Sequence, residues 1–495
     1  MLTVGFATRC ITPALGAFIP GLFEQRRATS VADDLWVRAV VIGTRGCKVA
    51  LVQADTIALP EPVVAAARQQ IQRSADIPEE HCMLAATHTH SGGPIGTLFT
   101  SPEDADYQKT VARAMAEAVI EADKRRRPCL LSTAVTSAPG VAFNRRFYMK
   151  DGSQVTHPGK MNSNIDRVAG PADPTLTTIG FRCAKTLQPL GAIVNFGCHA
   201  THMNGVAFSA DYPYWVVKSL QAAYGADFGV VFLNAPSGDV TQVDNLSPRP
   251  MEFGPYWCER TGRAVGAAAL LGLSTMDFRP RAGLDVAQSF IPVRMRRPTA
   301  DAIKRARGPG RQAAPGAQDV EALYAAEALA VEQLIRELGG KDEKDGKDKK
   351  DEKDSGSVGG LSIEVQLIRI ADTLFWSVPG ELFQKFALEV RARSHFPKTA
   401  GVTLANGYYG YICTPEAFAG GGYEVRLARS SFLAPDTGDR IVATATGLAK
   451  QLYDSAKREL CTQKETFTWP SAEDIALDGI KALEERRQGR GFSAS

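Results

Sequence analysis

Apolar runs of different lengths and periods are mixed along the chain, and they predict strands and helices together rather than one repeating unit. "LWVRAVVIGTRGCKVALVQAD" reads as two strands around a glycine turn, "EPVVAAARQQIQRSA" as a helix, and "CMLAATH" as a short buried strand. A long helix is expected over 103–125, closing on Lys124-Arg125-Arg126-Arg127, charges that suit a helix C-terminus and face water. Strands follow over 174–184 and 188–197, a helix over 211–224, a strand over 228–234 and a helix over 251–272. "VEALYAAEALAVEQLIREL" predicts another helix, "LSIEVQLIRI" a strand, and "RIVATATGLAKQLYDSAKREL" a helix near the C-terminal end. The class predicted is α/β (mixed α+β), with mixed sheets flanked by helices, no clean βαβ repeat and no internal sequence repeat.

One stretch departs from this pattern. "GGKDEKDGKDKKDEKDSGSVGG" (339–360) is charged, flanked by glycine and without an apolar residue until Val358. Too little surface is available there to offset the entropy of ordering, so a disordered insertion over 339–358 is expected between two elements. The organisation that follows is a catalytic unit over 1–435 containing the insertion, and a helical segment over 436–495. Residues around 275–360 are candidates for a lid or accessory segment.

Composition narrows the classes. A chain of 495 residues with 44% hydrophobic residues can build a sizeable core. Its 57 basic and 54 acidic residues leave a net charge of +3 with no isolated basic block, which argues against a nucleic-acid partner. No apolar run reaches the ~18 residues of a membrane span. The start, "MLTVGFATRCITPALG", lacks the basic and apolar regions of a signal peptide. The nine cysteines are scattered and never spaced C-x-x-C, which fits buried thiols in a reducing compartment. A cytoplasmic location is expected.

Chemistry concentrates in a few segments. Of seven histidines, four lie in "ATHTHSGG" and "NFGCHATHMNG". On an extended strand His88 and His90 would share one face, as a metal or acid–base site requires and as a hydrogen-bonded pair at a strand end also allows. His199 and His202 follow the apolar run "GAIVNF"; their spacing alone is a weak metal signal. Asp211 precedes a predicted helix, where an N-cap is the default reading. Ser237-Gly238-Asp239 reads as a turn, and Ser237 lies outside a G-x-S-x-G elbow. Glu381, in "VPGELFQKFALEV", falls in the first turn of a predicted helix, where the dipole alone favours a carboxylate. Tyr408, Tyr409, Tyr411 and Tyr423 cluster among glycines, which points to backbone turned toward a cavity.

Taken in order, "VGFATRCITP", "ATHTHSGG", "FNRR", "CHATHMN", "SADYP", "SGDV", "VPGE", "LANGYYGYICTPE" and "YE" at 423–424 resemble the neutral/alkaline ceramidase family of zinc-dependent amidases. The resemblance implies His88, His199, Glu381 and Tyr411 as ligands of Zn²⁺, an open-sited Lewis acid that polarises a carbonyl and activates water. It also implies His90, Arg145 and Tyr423 around the scissile amide, holding the carbonyl and assisting proton transfer. Three departures accompany it. Ala235 stands where the family has a serine, His202 stands where serine is frequent, and only about 70 residues follow Tyr423, too few for the family's immunoglobulin-like C-terminal domain. The function expected is a zinc hydrolase of an N-acyl amide in a small or lipid-like molecule. The alternatives are a hydrolase of a lactam, ester or glycoside-type bond in a cytosolic metabolite, and a non-catalytic relative that binds the ligand. A second cation near Asp239 and Asp244 stays open.

Overall fold

The computed structural model describes residues 2–308, 320–339 and 357–462. Thr3–Cys10 (β1) pairs antiparallel with Trp36–Gly43 (β2), and β2 with Lys48–Ala54 (β3). The near-continuous apolar runs of β2 and β3 are buried on both faces, as their sequence requires. Helix Glu61–Ala75 (α1) then crosses over to Cys82–Ala86 (β4), parallel to β3. Helix Ala105–Lys124 (α2) starts where the Asp104 carboxylate accepts the amides of Asp106 and Tyr107. Arg127–Ser137 (β5) and Thr175–Cys183 (β6) add antiparallel strands. Pro189–Phe196 (β7), helix Tyr212–Tyr224 (α3) and Gly229–Asn234 (β8) form a second parallel crossover. Together they make one eight-stranded sheet in the order β8-β7-β6-β5-β1-β2-β3-β4.

Helix Pro255–Thr275 (α4) packs behind β5 and β6. Leu284–Arg296 (β9) begins a second sheet, followed by helices Ala300–Arg307 (α5) and Val320–Gly339 (α6). Ser357–Ile370 (β10), Thr373–Ser377 (β11), helix Gln384–Arg393 (α7) and Lys398–Val402 (β12) complete it in the order β9-β10-β11-β12, with β11 and β12 parallel. Helix Thr437–Thr462 (α8) packs over α7, β9 and β10. The mixed α/β class predicted from the pattern is the class observed.

Three parallel pairs, β3/β4, β7/β8 and β11/β12, each need a helical crossover, and each leaves two carboxyl ends side by side. The fold gathers all six ends in one place. The sheet curls until its opposite ends touch: the Phe232 amide of β8 donates to Gln53 Oε1 of β3 at 2.8 Å. The second sheet closes the gap, with Asn195 Nδ2 donating to the Gly401 carbonyl at 2.9 Å and the Thr403 amide to the Asn234 carbonyl at 2.9 Å. Val4, Leu51, Met83, Ile193, Ile368 and Phe375 share the core between the sheets. The crossovers escaped a clean βαβ reading because antiparallel strands are interleaved with them.

Other expectations change in detail. The helix predicted over 251–272 starts at Pro255, since Gly254 at φ 94° cannot continue a helix, and it runs to Thr275. Arg126 does not simply face water: its guanidinium donates to Asp123 Oδ1 at 2.6 Å and to Thr3 Oγ1 at 2.7 Å. Of the segment 275–360, β9 and β10 are paired strands of the second sheet, so those parts are scaffold rather than lid. Within the charged stretch 339–358, Gly339 closes α6 and Ser357–Val358 open β10; the intervening residues lie outside the described ones. Of the segment 436–495, Thr437–Thr462 is helical and the remainder lies outside the described residues.

A buried ion pair ties the crossover α1 to the second sheet. Arg68 meets Glu364 through two hydrogen bonds of 2.8 and 2.9 Å, with side-chain exposures of 8% and 6%. Asn406 Nδ2 adds a third bond to Glu364 Oε1, while Asn406 Oδ1 accepts the Leu84 amide of β4. Glu364→Ala leaves a buried guanidinium unpaired, and urea unfolding should show a loss of about 3–5 kcal/mol. A loss below about 1 kcal/mol would mean that solvent screens the pair.

Candidate metal centre

The two histidines of "ATHTHSGG" do not share a strand face. β4 ends at Ala86, and His88 adopts φ 67°, a left-handed conformation costing roughly 1–2 kcal/mol in a residue with a Cβ. The backbone turns there because neighbouring carboxyl ends hold it. The Thr87 and His88 amides donate to the Ala54 and Thr56 carbonyls after β3, the Ala86 amide to Leu404 after β12, and the His90 amide to Ala200 after β7. His88 and His90 meet through this anchored reversal, with ring centroids 4.8 Å apart. His199, in the loop after β7, places its ring 4.6 Å from His88.

All three imidazoles are oriented in the same way. Nδ1 of His88 donates to the Ile57 carbonyl at 2.7 Å, Nδ1 of His90 to Gly21 at 2.8 Å, and Nδ1 of His199 to Ser237 and Val240 at 2.8 and 3.0 Å. Those bonds fix the proton on Nδ1 and leave each Nε2 with a bare lone pair. The Nε2 atoms of His88 and His90 lie 3.3 Å apart.

Glu381 completes the group, but not from a helix. α7 begins only at Gln384; Glu381–Leu382 instead pairs parallel with Tyr411–Ile412, because the Glu381 amide is claimed by the Gly410 carbonyl. Gly238 passes so close beneath it that an added Cβ would lie 2.3 Å from the Glu381 carbonyl oxygen. Glu381 Oε2 sits 3.3 Å from His88 Nε2 and 3.2 Å from His199 Nε2, while Oε1 accepts the Tyr408 hydroxyl at 2.8 Å. Burial and the Arg145 charge push His199 down to about 4, so it is neutral at neutral pH. His90 is also held well below its ordinary value, by burial and the neighbouring imidazoles.

These donors fit a metal ion. His199 Nε2 and Glu381 Oε2 are buried and make no hydrogen bond. Lone pairs left facing a carboxylate are costly unless a cation lies between them. Separations of 3.2 and 3.3 Å are also the edges of a tetrahedron whose bonds are about 2.0–2.1 Å long. Among the described residues, His88, His90 and His199 form the group of imidazoles, thiols or carboxylates that could hold a metal ion.

A second layer surrounds the donors. Arg145, implied by the resemblance to lie at the amide, donates through Nη2 to the Tyr411 hydroxyl at 3.1 Å and to the Gly238 carbonyl at 2.8 Å, and through Nε to Glu424 at 2.8 Å. Burial would lower its pKa, but Tyr411 and Glu424 raise it, so its charge is secure. Burial and Glu381 push the Tyr411 phenol far above its ordinary value. Fully buried Glu424 bonds Arg145, Arg146 and Thr156 at once. Tyr423 packs edge-on against Tyr411, with centroids 5.7 Å apart.

Other sequence candidates lie elsewhere. His202 is fully buried between Asp211 and Thr261, and Asp211 also accepts the Tyr212 amide that opens α3, so both are structural. Tyr409 turns away to bond Glu61 at 2.8 Å. Ser237 contributes its carbonyl to His199. Asp239 accepts from Asn144 and the Gln384 amide, and Asp244 from Arg249 and the Leu246 amide, so both carboxylates have protein partners. Tyr408 was visible only as one of an aromatic cluster. Glu424 had no signal beyond its place in "YE", since its partners lie ~280 residues upstream and no spacing rule joins them.

The fold and these donors define a mixed α/β protein with a buried metal-ion candidate at converging strand ends. No protein-family model matches the chain, and no curated protein matches it. Solved structures do: the neutral ceramidase from Pseudomonas aeruginosa superposes with a TM-score of 0.67 at 18% identity, covering 95% of this chain and 76% of that one. A ceramidase complexed with C2 gives a TM-score of 0.67 at 19% identity, covering 95% and 77%. The chain has a divergent ceramidase-like fold.

Two outcomes follow from this geometry. Tyr408→Phe releases Glu381 Oε1 from the phenol that donates to it, and metal affinity in a buffered titration should fall about 10–100-fold, as for other ligand-orienting partners; unchanged affinity would make Tyr408 a packing residue. In chelator-treated protein, the depressed pKa of His199 means stability complete above about pH 6.5 and lost as the pH falls toward about 4. The urea midpoint should therefore drop between about pH 7 and about pH 5, and drop less in His199→Gln. Equal midpoints at both pH values would contradict a neutral buried imidazole.

Proposed function

We propose that this chain is a zinc-dependent hydrolase of an amide bond in an N-acyl substrate. The observation that carries the reading is the set of three imidazoles whose Nδ1 protons are tied to backbone carbonyls, while the Nε2 atoms of His88 and His199 face Glu381 and that of His90 faces His88. In this reading His88, His199, Glu381 and Tyr411 hold the metal. Zinc, when bound, supplies the Lewis acidity that polarises a carbonyl and makes water nucleophilic near neutral pH.

His90 is the more exposed of the three imidazoles and is neutral, so its Nε2 can take a proton from water and pass it to the leaving nitrogen. Arg145 keeps Nη1 free of protein hydrogen bonds among the described residues, a positive donor for an oxygen that gains charge. The same side chain steadies Tyr411. Burial keeps the Tyr423 phenol protonated, and its hydroxyl has no protein partner among the described residues, so it can donate to the substrate. Phe23 continues from Tyr423 at 6.0 Å, and Phe99 from Phe23 at 4.8 Å, an aromatic wall suited to an acyl chain.

Ala235 stands where the resembling family has a serine, and the absence of a hydroxyl there favours water as the nucleophile. The same residue supports a second reading, in which the bond cleaved is a lactam, ester or glycoside-type linkage. Purified protein should carry about one zinc per chain, lose activity to a chelator, and lose both metal and activity in His199→Ala. N-acyl-sphingosine, short N-acyl amides and esters assayed side by side separate the two readings. Full metal content and full turnover in His88→Ala and His199→Ala would refute both.

A further inference from the structure

Between β9, α5, α6 and the loop after Tyr423 lies an open cleft of about 770 Å³. Five arginines line it, Arg294, Arg296, Arg297, Arg305 and Arg426, against two carboxylates, Glu321 and Asp436. Both carboxylates already have an arginine: Asp436 faces Arg294 at 3.5 Å, and Glu321 faces Arg426 at 2.8 Å. No carboxylate among the described residues pairs with Arg296, Arg297 or Arg305.

Arg296 is the most telling of the three. It is half-buried, and its hydrogen bonds all go to neutral acceptors: the carbonyls of Leu433, Val425 and Ser431, and Ser431 Oγ. Burial lowers its pKa to about 10, which still leaves it charged at neutral pH. A guanidinium removed from water without a counter-charge is costly, and among the described residues two more guanidinium groups without a carboxylate partner share its cleft. Arg426 is held in place by its ion pair and by stacking 3.7 Å over the Tyr324 ring. Ala325, Ala328 and Leu427 make the rest of the wall weakly apolar.

We propose that this cleft binds a phosphomonoester joined to a small apolar group. A phosphomonoester carries close to two negative charges at neutral pH and three acceptor oxygens, enough to engage more than one guanidinium fork. A cleft of this size suits a small organic molecule rather than an inorganic ion alone. The inference does not rest on the hydrolase reading.

The test is calorimetric titration of the full chain with phenyl phosphate and with benzoate, at low salt, repeated on the variant Arg297→Gln/Arg305→Gln. Both substituted residues are exposed and outside the metal centre, so zinc content and circular dichroism should match the parent. Phenyl phosphate should bind saturably, about tenfold or more tighter than benzoate, with affinity that falls as salt rises. The double variant should bind it about tenfold or more weakly. Absence of saturable binding, equal affinity in the double variant, or benzoate binding as tightly would each overturn the proposal. Failure of the zinc assays above would leave these results untouched.

Discussion

Backbone carbonyls govern the centre of this molecule. Gly21, Ile57 and Ser237 each take the Nδ1 proton of an imidazole, and that choice of tautomer dictates everything on the other side of the rings. With the protons fixed outward, the inner nitrogens and Glu381 Oε2 form a cluster of acceptors with no donor among them. Such a cluster is unstable on its own and would be stabilised by a cation, so the binding of one would be thermodynamically linked to folding. Tyr408 and Arg145 extend the same logic one step outward, each committing a proton to one oxygen and thereby setting the direction of another.

The scaffold meets this demand through topology rather than local sequence. Two parallel pairs of the curled sheet and one of the second sheet end at the same place, and their loops hold one another: the amides at 86–90 are anchored by carbonyls from three other strand ends. Ligands at the carboxyl ends of parallel strands are a general property of α/β sheets. Here the property is used three times, on two sheets, around one point. Antiparallel strands between the crossovers supply the curl that lets distant edges touch.

Much of the element pattern was legible along the chain, and so were the residues that meet at the centre; their geometry was not. Apolar runs marked β2, β3, β7 and β8, and the cap at Asp211 marked a helix start. β9 was obscured because Asp285, Gln288, Ser289 and Pro292 interrupt its apolar positions. His88 and His90 were rightly paired but for the wrong reason, since strand periodicity does not survive a residue at positive φ. Glu381 read as helical because its neighbours 384–393 are, whereas a two-residue bridge to Tyr411 outweighs that propensity. Glu424 was invisible because buried ion pairs between distant segments leave no periodic trace.

The cluster's donors are widely separated along the chain: His88 and Glu381 are ~290 residues apart, and closing such a loop in an unfolded chain carries a large entropic cost. A free ion therefore cannot nucleate this fold in the way it organises a short zinc module, whose ligands lie within a few dozen residues. High contact order makes assembly slow, and a metal ion binding here would meet a pocket the polypeptide has already built. The chain should consequently fold before any such ion is bound, rather than depend on it.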